Sequence, residues 1–153
     1  MVLTLSEASI GSAACANVGT PISLPVKLPT NLSVIDQFRA PSCKWCSGNR
    51  GIEYRTEPGS IVTAAAGGIA TFVGNVAGTR YVVVRTFGNI LVTHGRLQSV
   101  SVKSGAVIAV GQTIGAAGES LYIGVRVNGQ YVDPRQCAGL ESVGKPRAVL
   151  VAG

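Results

Sequence analysis

Apolar positions in this chain alternate with polar or small ones in short runs, and glycine punctuates many of the breaks between them. Period-two alternation rich in Val, Ile and Thr is the mark of half-buried strands, and almost nothing here sustains the spacing of an amphipathic helix. Residues 34–38 predict a first strand. From Ser60 the signals are dense: a run over 61–66, a hairpin-type turn at Gly67-Gly68, and a second run over 69–76. After Ala77-Gly78-Thr79 the pattern predicts a strand over 80–87, a turn at Gly88-Asn89 and a strand over 90–94. Residues 100–110 carry two short elements around Lys103-Ser104-Gly105, and 111–115 turn again. A final hairpin joins 121–127 to 130–132 through Asn128-Gly129, the pair best suited to the positive φ angles of a type I′ turn. Near the end, 148–151 is apolar enough to add an edge strand.

The organisation follows from these runs. Pro21, Pro25 and Pro29 recur every four residues, which excludes helix and central strand, so 1–37 reads as an extended leader. One domain occupies 38–140 and a tail 141–153; a chain of 153 residues buries one core and has no room for a second full domain. The predicted class is all-β with consecutive antiparallel strands.

Charge narrows the partners. Lys and Arg number 13 against 7 Asp and Glu, a net charge of +6 that favours anionic polymers. Nucleic acid is not expected, because the basic residues stand singly, without a basic run or interleaved stacking aromatics. No apolar stretch reaches the roughly 18 residues that cross a bilayer. The N-terminus also lacks the basic start and continuous apolar run of a secretory signal, which leaves the cysteines to indicate the compartment. Cys15, Cys43, Cys46 and Cys137 permit three pairings. A four-thiolate zinc site needs a second closely spaced pair, and a thioredoxin-type site needs a helix where Gly48, Asn49 and Gly51 follow Cys46. Structural disulfides remain the preferred reading, paired Cys43–Cys46 and Cys15–Cys137, and they suit an exported, extracytoplasmic protein.

Three segments carry the candidate chemistry: Gly48-Asn49-Arg50-Gly51-Ile52-Glu53, Thr93-His94-Gly95-Arg96-Leu97 and Ser120-Leu121-Tyr122-Ile123-Gly124-Val125-Arg126. They sit in a framework that includes Pro58-Gly59-Ser60-Ile61-Val62-Thr63-Ala64, the stretch 107–115, and Val125-Arg126-Val127-Asn128-Gly129-Gln130-Tyr131-Val132-Asp133-Pro134. In order and spacing this resembles the lysostaphin-type (LytM) zinc metallopeptidases, whose corresponding segments read roughly H-x-G-x-D, Y-x-H-L and H-L-H-F-E-V. The stretch from Trp45 to Gly51 is also similar to that of an actinobacterial exported subgroup.

The resemblance implies an antiparallel two-layer β-sandwich with a groove, the duplicated hybrid motif of that family. It also implies that the metal site has changed. Asn49 stands at the first ligand, Glu53 at the ligating aspartate and Tyr122 at the second histidine of H-L-H. Ser120 takes the place of the assisting histidine two residues earlier. Arg96 falls on the histidine of Y-x-H-L and His94 on its tyrosine. Zinc hydrolysis needs neutral imidazoles and a carboxylate around an ion with an open position for water. One carboxylate in three ligand positions does not provide that, so zinc is expected to be absent, and Arg96 and Glu53 to pair over the old groove floor. The implied function is a non-catalytic, peptidase-like domain of the cell envelope that uses its former groove, with Asn49, Glu53, His94, Arg96, Ser120 and Tyr122, to bind peptidoglycan, a cell-wall hydrolase or a divisome protein. One alternative is a residual zinc-dependent peptidoglycan endopeptidase built on Glu53, Tyr122 and His94. Another is a lipoyl- or biotinyl-type module acylated at Lys103, which lacks that class's flanking residues. The competing reading of His94 is a packed strand residue.

Overall fold

The computed structural model describes residues 26–86 and 90–138. Within them the chain forms nine strands: β1 (Val34–Asp36), β2 (Gly51–Arg55), β3 (Ile61–Thr63), β4 (Gly68–Val76), β5 (Thr79–Arg85), β6 (Ile90–Val100), β7 (Val107–Ile108), β8 (Thr113–Val127) and β9 (Gln130–Val132). All pair antiparallel in one sheet ordered β1-β2-β8-β6-β5-β4-β7, with β3 and β9 also on β8. The protein is all-β, as its alternation predicts, and its only helical segment among the described residues is the short one at 134–138.

Strand β8, fifteen residues long, is the spine. One edge carries β6 over nearly its whole length, while β3, β2 and β9 take successive stretches of the other. The sequence pattern predicts only 121–127 of this strand, because 115–118 reads Gly-Ala-Ala-Gly and lacks apolar alternation. That smallness is what the packing needs: a Cβ on Gly115 would collide with the Ser99 carbonyl of β6. Strand β2 escapes the pattern as well, and β6 runs on to Val100, beyond the predicted 90–94.

The Gly67-Gly68 hairpin is corrected by the pairing. Strand β3 ends at Thr63 and bonds to β8, and β4 bonds to β5 and β7, so the two are not partners. Gly68 serves close approach instead, since a Cβ there would run into the Arg85 carbonyl. Two tight turns do form. Ala77-Gly78 (φ +52° and +87°) joins β4 to β5, and the predicted Asn128-Gly129 (φ +50° and +84°) joins β8 to β9.

The core lies on one face of β5, β6 and β8, where Val82, Val84, Val92, Ile123 and Val125 are buried. The segment Ala64-Ala65-Ala66 closes over it, together with Val26, Ile108, Ile114 and Cys137. Val26 is buried and Lys27 N–H donates to the Ala65 carbonyl (2.7 Å), so the end of the proline-spaced stretch packs on the core. Burying a Val or Ile side chain contributes about 1.5–3 kcal/mol, which makes this apolar row the main source of stability. The expected Cys43–Cys46 disulfide is present, with Cα atoms 4.9 Å apart. Cys15, the Gly88-Asn89 turn, the strand at 148–151, and most of the leader and tail lie outside the described residues.

Candidate functional site: a polar cleft on the open face

A side chain's face follows from strand alternation, and β6 shows the consequence. Val92 and His94 point into the core, and Thr93 and Gly95 point to the opposite face. Arg96 then breaks the count. It is missing from the pairing with both β5 and β8, has φ +65°, and forms a bulge that aims its side chain to the open face.

That face holds a cleft of about 470 Å³ lined by Asp36, Gly48, Asn49, Arg50, Glu53, Tyr81, Thr93, Arg96, Tyr122 and Tyr131. Glu53 of β2 lies opposite Tyr122 of β8, and Tyr122 opposite Gly95 of β6. The Tyr122 ring covers glycine backbone on both sides, so that a Cβ on Gly51 or Gly124 would stand 2.6 Å from its atoms. Desolvation raises the Tyr122 phenol above its ordinary value, and Tyr131, Tyr81 and Glu53 push the same way. The phenol therefore stays protonated.

Four of the six candidate residues converge here. Arg96 Nη2 donates to Glu53 Oε2 at 3.0 Å, the pair expected from the sequence. Asn49 is buried and its carboxamide is fully engaged: Nδ2 donates to the Gln37 carbonyl (3.0 Å) and the Asp36 carbonyl (3.3 Å), while Oδ1 accepts from Gly51 N–H (3.3 Å). Its role is to lock β1 and its following loop to the start of β2. Ser120 shares the face of Tyr122 but lies opposite Arg55, one step beyond the cleft.

His94 is corrected outright: it belongs to the core and not to the groove. It is fully buried, Nε2 accepts from Ala65 N–H (2.9 Å), and Nδ1 lies 3.1 Å from the Val82 carbonyl. An acceptor at Nε2 puts the proton on Nδ1, which donates to Val82. Burial lowers its pKa to about 4, so the ring is neutral at ordinary pH. It takes part in nothing at the cleft.

Several cleft residues had no role assigned from the motifs: Asp36 and Tyr81, which lie outside them, and Arg50, Thr93 and Tyr131, which lie within the motif segments. Alternation was the available signal, since Tyr81 and Tyr131 fall on the strand face of Tyr122. Asp36 pairs with Arg39, whose hydrogen bond holds the Asp36 carboxyl below its usual range. The guanidiniums of Arg50 and Arg126 lie 5.9 and 5.5 Å from the centre of the Tyr131 ring. Arg50 Nη2 also donates to the Lys44 carbonyl (2.9 Å), which ties the cleft wall to the disulfide loop carrying Trp45, 85% exposed.

Zinc prefers imidazole, thiolate and carboxylate donors in a tetrahedral set. The cleft offers two carboxylates, Asp36 and Glu53, each already bound to a guanidinium, a carboxamide committed to backbone, and a protonated phenol, so the donors do not fit that ion. Among the described residues no three His, Cys, Asp or Glu side chains gather around a common point, and no buried side-chain polar atom lacks a partner.

Comparison with known structures places this geometry. The catalytic domain of a prophage-encoded M23 protein, EnpA, from Enterococcus faecalis superposes with a TM-score of 0.61 at 18% identity, over 72% of this chain and 95% of that one. Lysostaphin does so with a TM-score of 0.64 at 18% identity, over 78% of this chain and 54% of its own. A chain from the SpoIIIAH–SpoIIQ complex gives 0.62 at 19% identity, over 74% and 96%. At these identities the likeness is one of fold. No curated protein matches the chain. The model of Peptidase family M23 matches residues 47–134, which begin just after the disulfide loop and end after β9, and so the chain belongs to that family.

Proposed function

We propose that this chain is a non-catalytic, peptidase-like domain of the cell envelope, without catalytic zinc, that binds peptidoglycan in the cleft on its open face. The observation that supports this most is the Arg96–Glu53 pair at 3.0 Å: the bulge at Arg96 brings a guanidinium onto the one carboxylate left at a ligand position. Amide hydrolysis also needs a group that activates water. Here His94 is sealed in the core, and Tyr122 is held protonated between glycines. A polar cleft floored by three tyrosines still suits an extended peptide, through hydrogen bonds along its sides and flat apolar contact below. The exposed Cys43–Cys46 bridge supports an extracytoplasmic setting. No helix among the described residues is long and apolar enough to cross a membrane.

The test is retention on purified sacculi together with the metal content of protein purified without chelator. Retention without stoichiometric zinc is expected. Stoichiometric zinc with release of muropeptides would revive the reading as a residual endopeptidase. A second reading, docking of a cell-wall hydrolase, rests on Trp45: an exposed tryptophan on a covalently closed loop is the kind of anchor that dominates protein interfaces. Binding to a hydrolase but not to sacculi would favour it.

A further inference from the structure

The open face continues past the cleft. Pairing aligns Tyr131 of β9, Arg126 of β8, Leu91 of β6 and Arg85 of β5 in one row across the sheet. Directly opposed residues share a face, and the adjacent row of Val125, Val92 and Val84 is buried in the core. The arginine row therefore points to the cleft side. Neither Arg85 nor Arg126 pairs with a carboxylate among the described residues. Asp36, Glu53 and Asp133 are taken by Arg39, Arg96 and Arg135. Glu119, whose carbonyl accepts from Thr56 N–H, lies roughly 20 Å from Arg126 along β8 at the rise of an extended strand. Beside the end of the cleft lined by Arg50 and Tyr131, Arg126 and, across Leu91, Arg85 thus add positive charge that no carboxylate among the described residues pairs with.

We infer that Arg126, flanked by Arg50 and Arg85, is a carboxylate-binding subsite that orients an extended acidic peptide in the cleft. The inference rests on the cleft-binding reading above and deepens it by naming the recognised group. A guanidinium offers two parallel N–H donors that match a planar carboxylate, and the Tyr131 ring beneath Arg126 restricts its orientation. A polyphosphate chain would call for a continuous basic track. Here Leu91 and Tyr131 separate the charges, which suits one or two localised carboxylates.

The experiment is calorimetric titration with soluble muropeptides from digested sacculi, native and after carbodiimide amidation of their carboxylates. Amidation is expected to weaken binding about tenfold, the scale of one charge-assisted hydrogen-bonded contact. Arg126→Gln is expected to weaken the native probe by the same factor and leave the amidated one unchanged, while Lys103→Gln on the β6–β7 connection alters neither. If Arg126→Gln does not fold, Arg85→Gln and the amidation comparison on the native protein read the same subsite. Equal affinity for both probes overturns the subsite and leaves the cleft reading standing. Binding of neither overturns both. Displacement by soluble polyphosphate as effective, charge for charge, as by muropeptide overturns the assignment to carboxylate.

Discussion

The two faces of β5, β6 and β8 are built from adjacent residues and obey opposite rules. Inward, Val82, Val84, Val92, Ile123 and Val125 surround the polar side chain of His94, whose two ring nitrogens are both satisfied. Outward, Tyr81 and Tyr122 pack against glycines, and the charges of Arg96 and Glu53 stand towards the surface. The inner face can admit only a polar group with every bond made, because an unmade one costs about 1–3 kcal/mol there. The outer face tolerates exchange of its side chains, because water makes up the difference. Glu53, Arg96 and Tyr122 can therefore vary more freely than the core beneath them, whereas the buried Asn49 is held by its hydrogen bonds to the Asp36 and Gln37 carbonyls and to Gly51 N–H.

The most drastic way to break the contrast is to rewrite the outer face. Asn49→His, Glu53→Asp, Arg96→His and Tyr122→His together are expected to give one zinc per chain after dialysis, measured by elemental analysis, where the native protein is expected to retain none. Failure to take up metal would show that this cleft is not the former zinc site.

Effects on stability come next. His94→Ala opens a cavity and strands the Ala65 N–H, so a loss of about 4 kcal/mol is expected in urea unfolding at neutral pH. A loss below about 1 kcal/mol would mean the ring is not embedded. The same residue sets a pH dependence. Its folded pKa, about 4, lies below the ordinary 6.5, so the unfolded chain takes up the proton first as pH falls. Its stabilising contribution is intact above pH 6.5 and falls away towards pH 4, by on the order of 3 kcal/mol. His94→Met should flatten that part of the stability profile.

Gly51 tests the seam between the faces. Its replacement by Ala drives a Cβ against the Ile123 carbonyl and the Tyr122 ring, and a loss of about 2 kcal/mol is expected in thermal unfolding. The smallest effect belongs to the ion pair. Arg96 is half exposed, so Glu53→Gln should change stability by less than about 1 kcal/mol. A larger loss would mean that the pair is structural and not a surface substitute.

The strands with clean alternation, β4, β5 and β9, were legible in the sequence, and so was the Asn128-Gly129 turn. The Arg96–Glu53 contact was legible too, through the family motifs. Strand β2 and the first half of β8 were not, because Gly115 to Gly118 carry no apolar period; their smallness serves the backbone of a neighbour that only folding brings near. Tyr81 and Asp36 were missed because they come from β5 and β1, outside every motif, and Tyr131 because its segment served as framework with no role given to the ring.

By itself the sequence determined the all-β class, the family kinship and the identity of the side chains at the motif positions. Period-two alternation and the residue types at fixed motif positions are local, and local information is complete in the chain. Only the tertiary structure decided which side of the sheet each residue serves. One bulge at Arg96 sends its guanidinium to the cleft, while strand alternation keeps His94 two residues earlier in the core. Pairing across β9, β8, β6 and β5 then aligns arginines that lie far apart in sequence, so their shared charge depends on register, and register is set by the packed core as a whole.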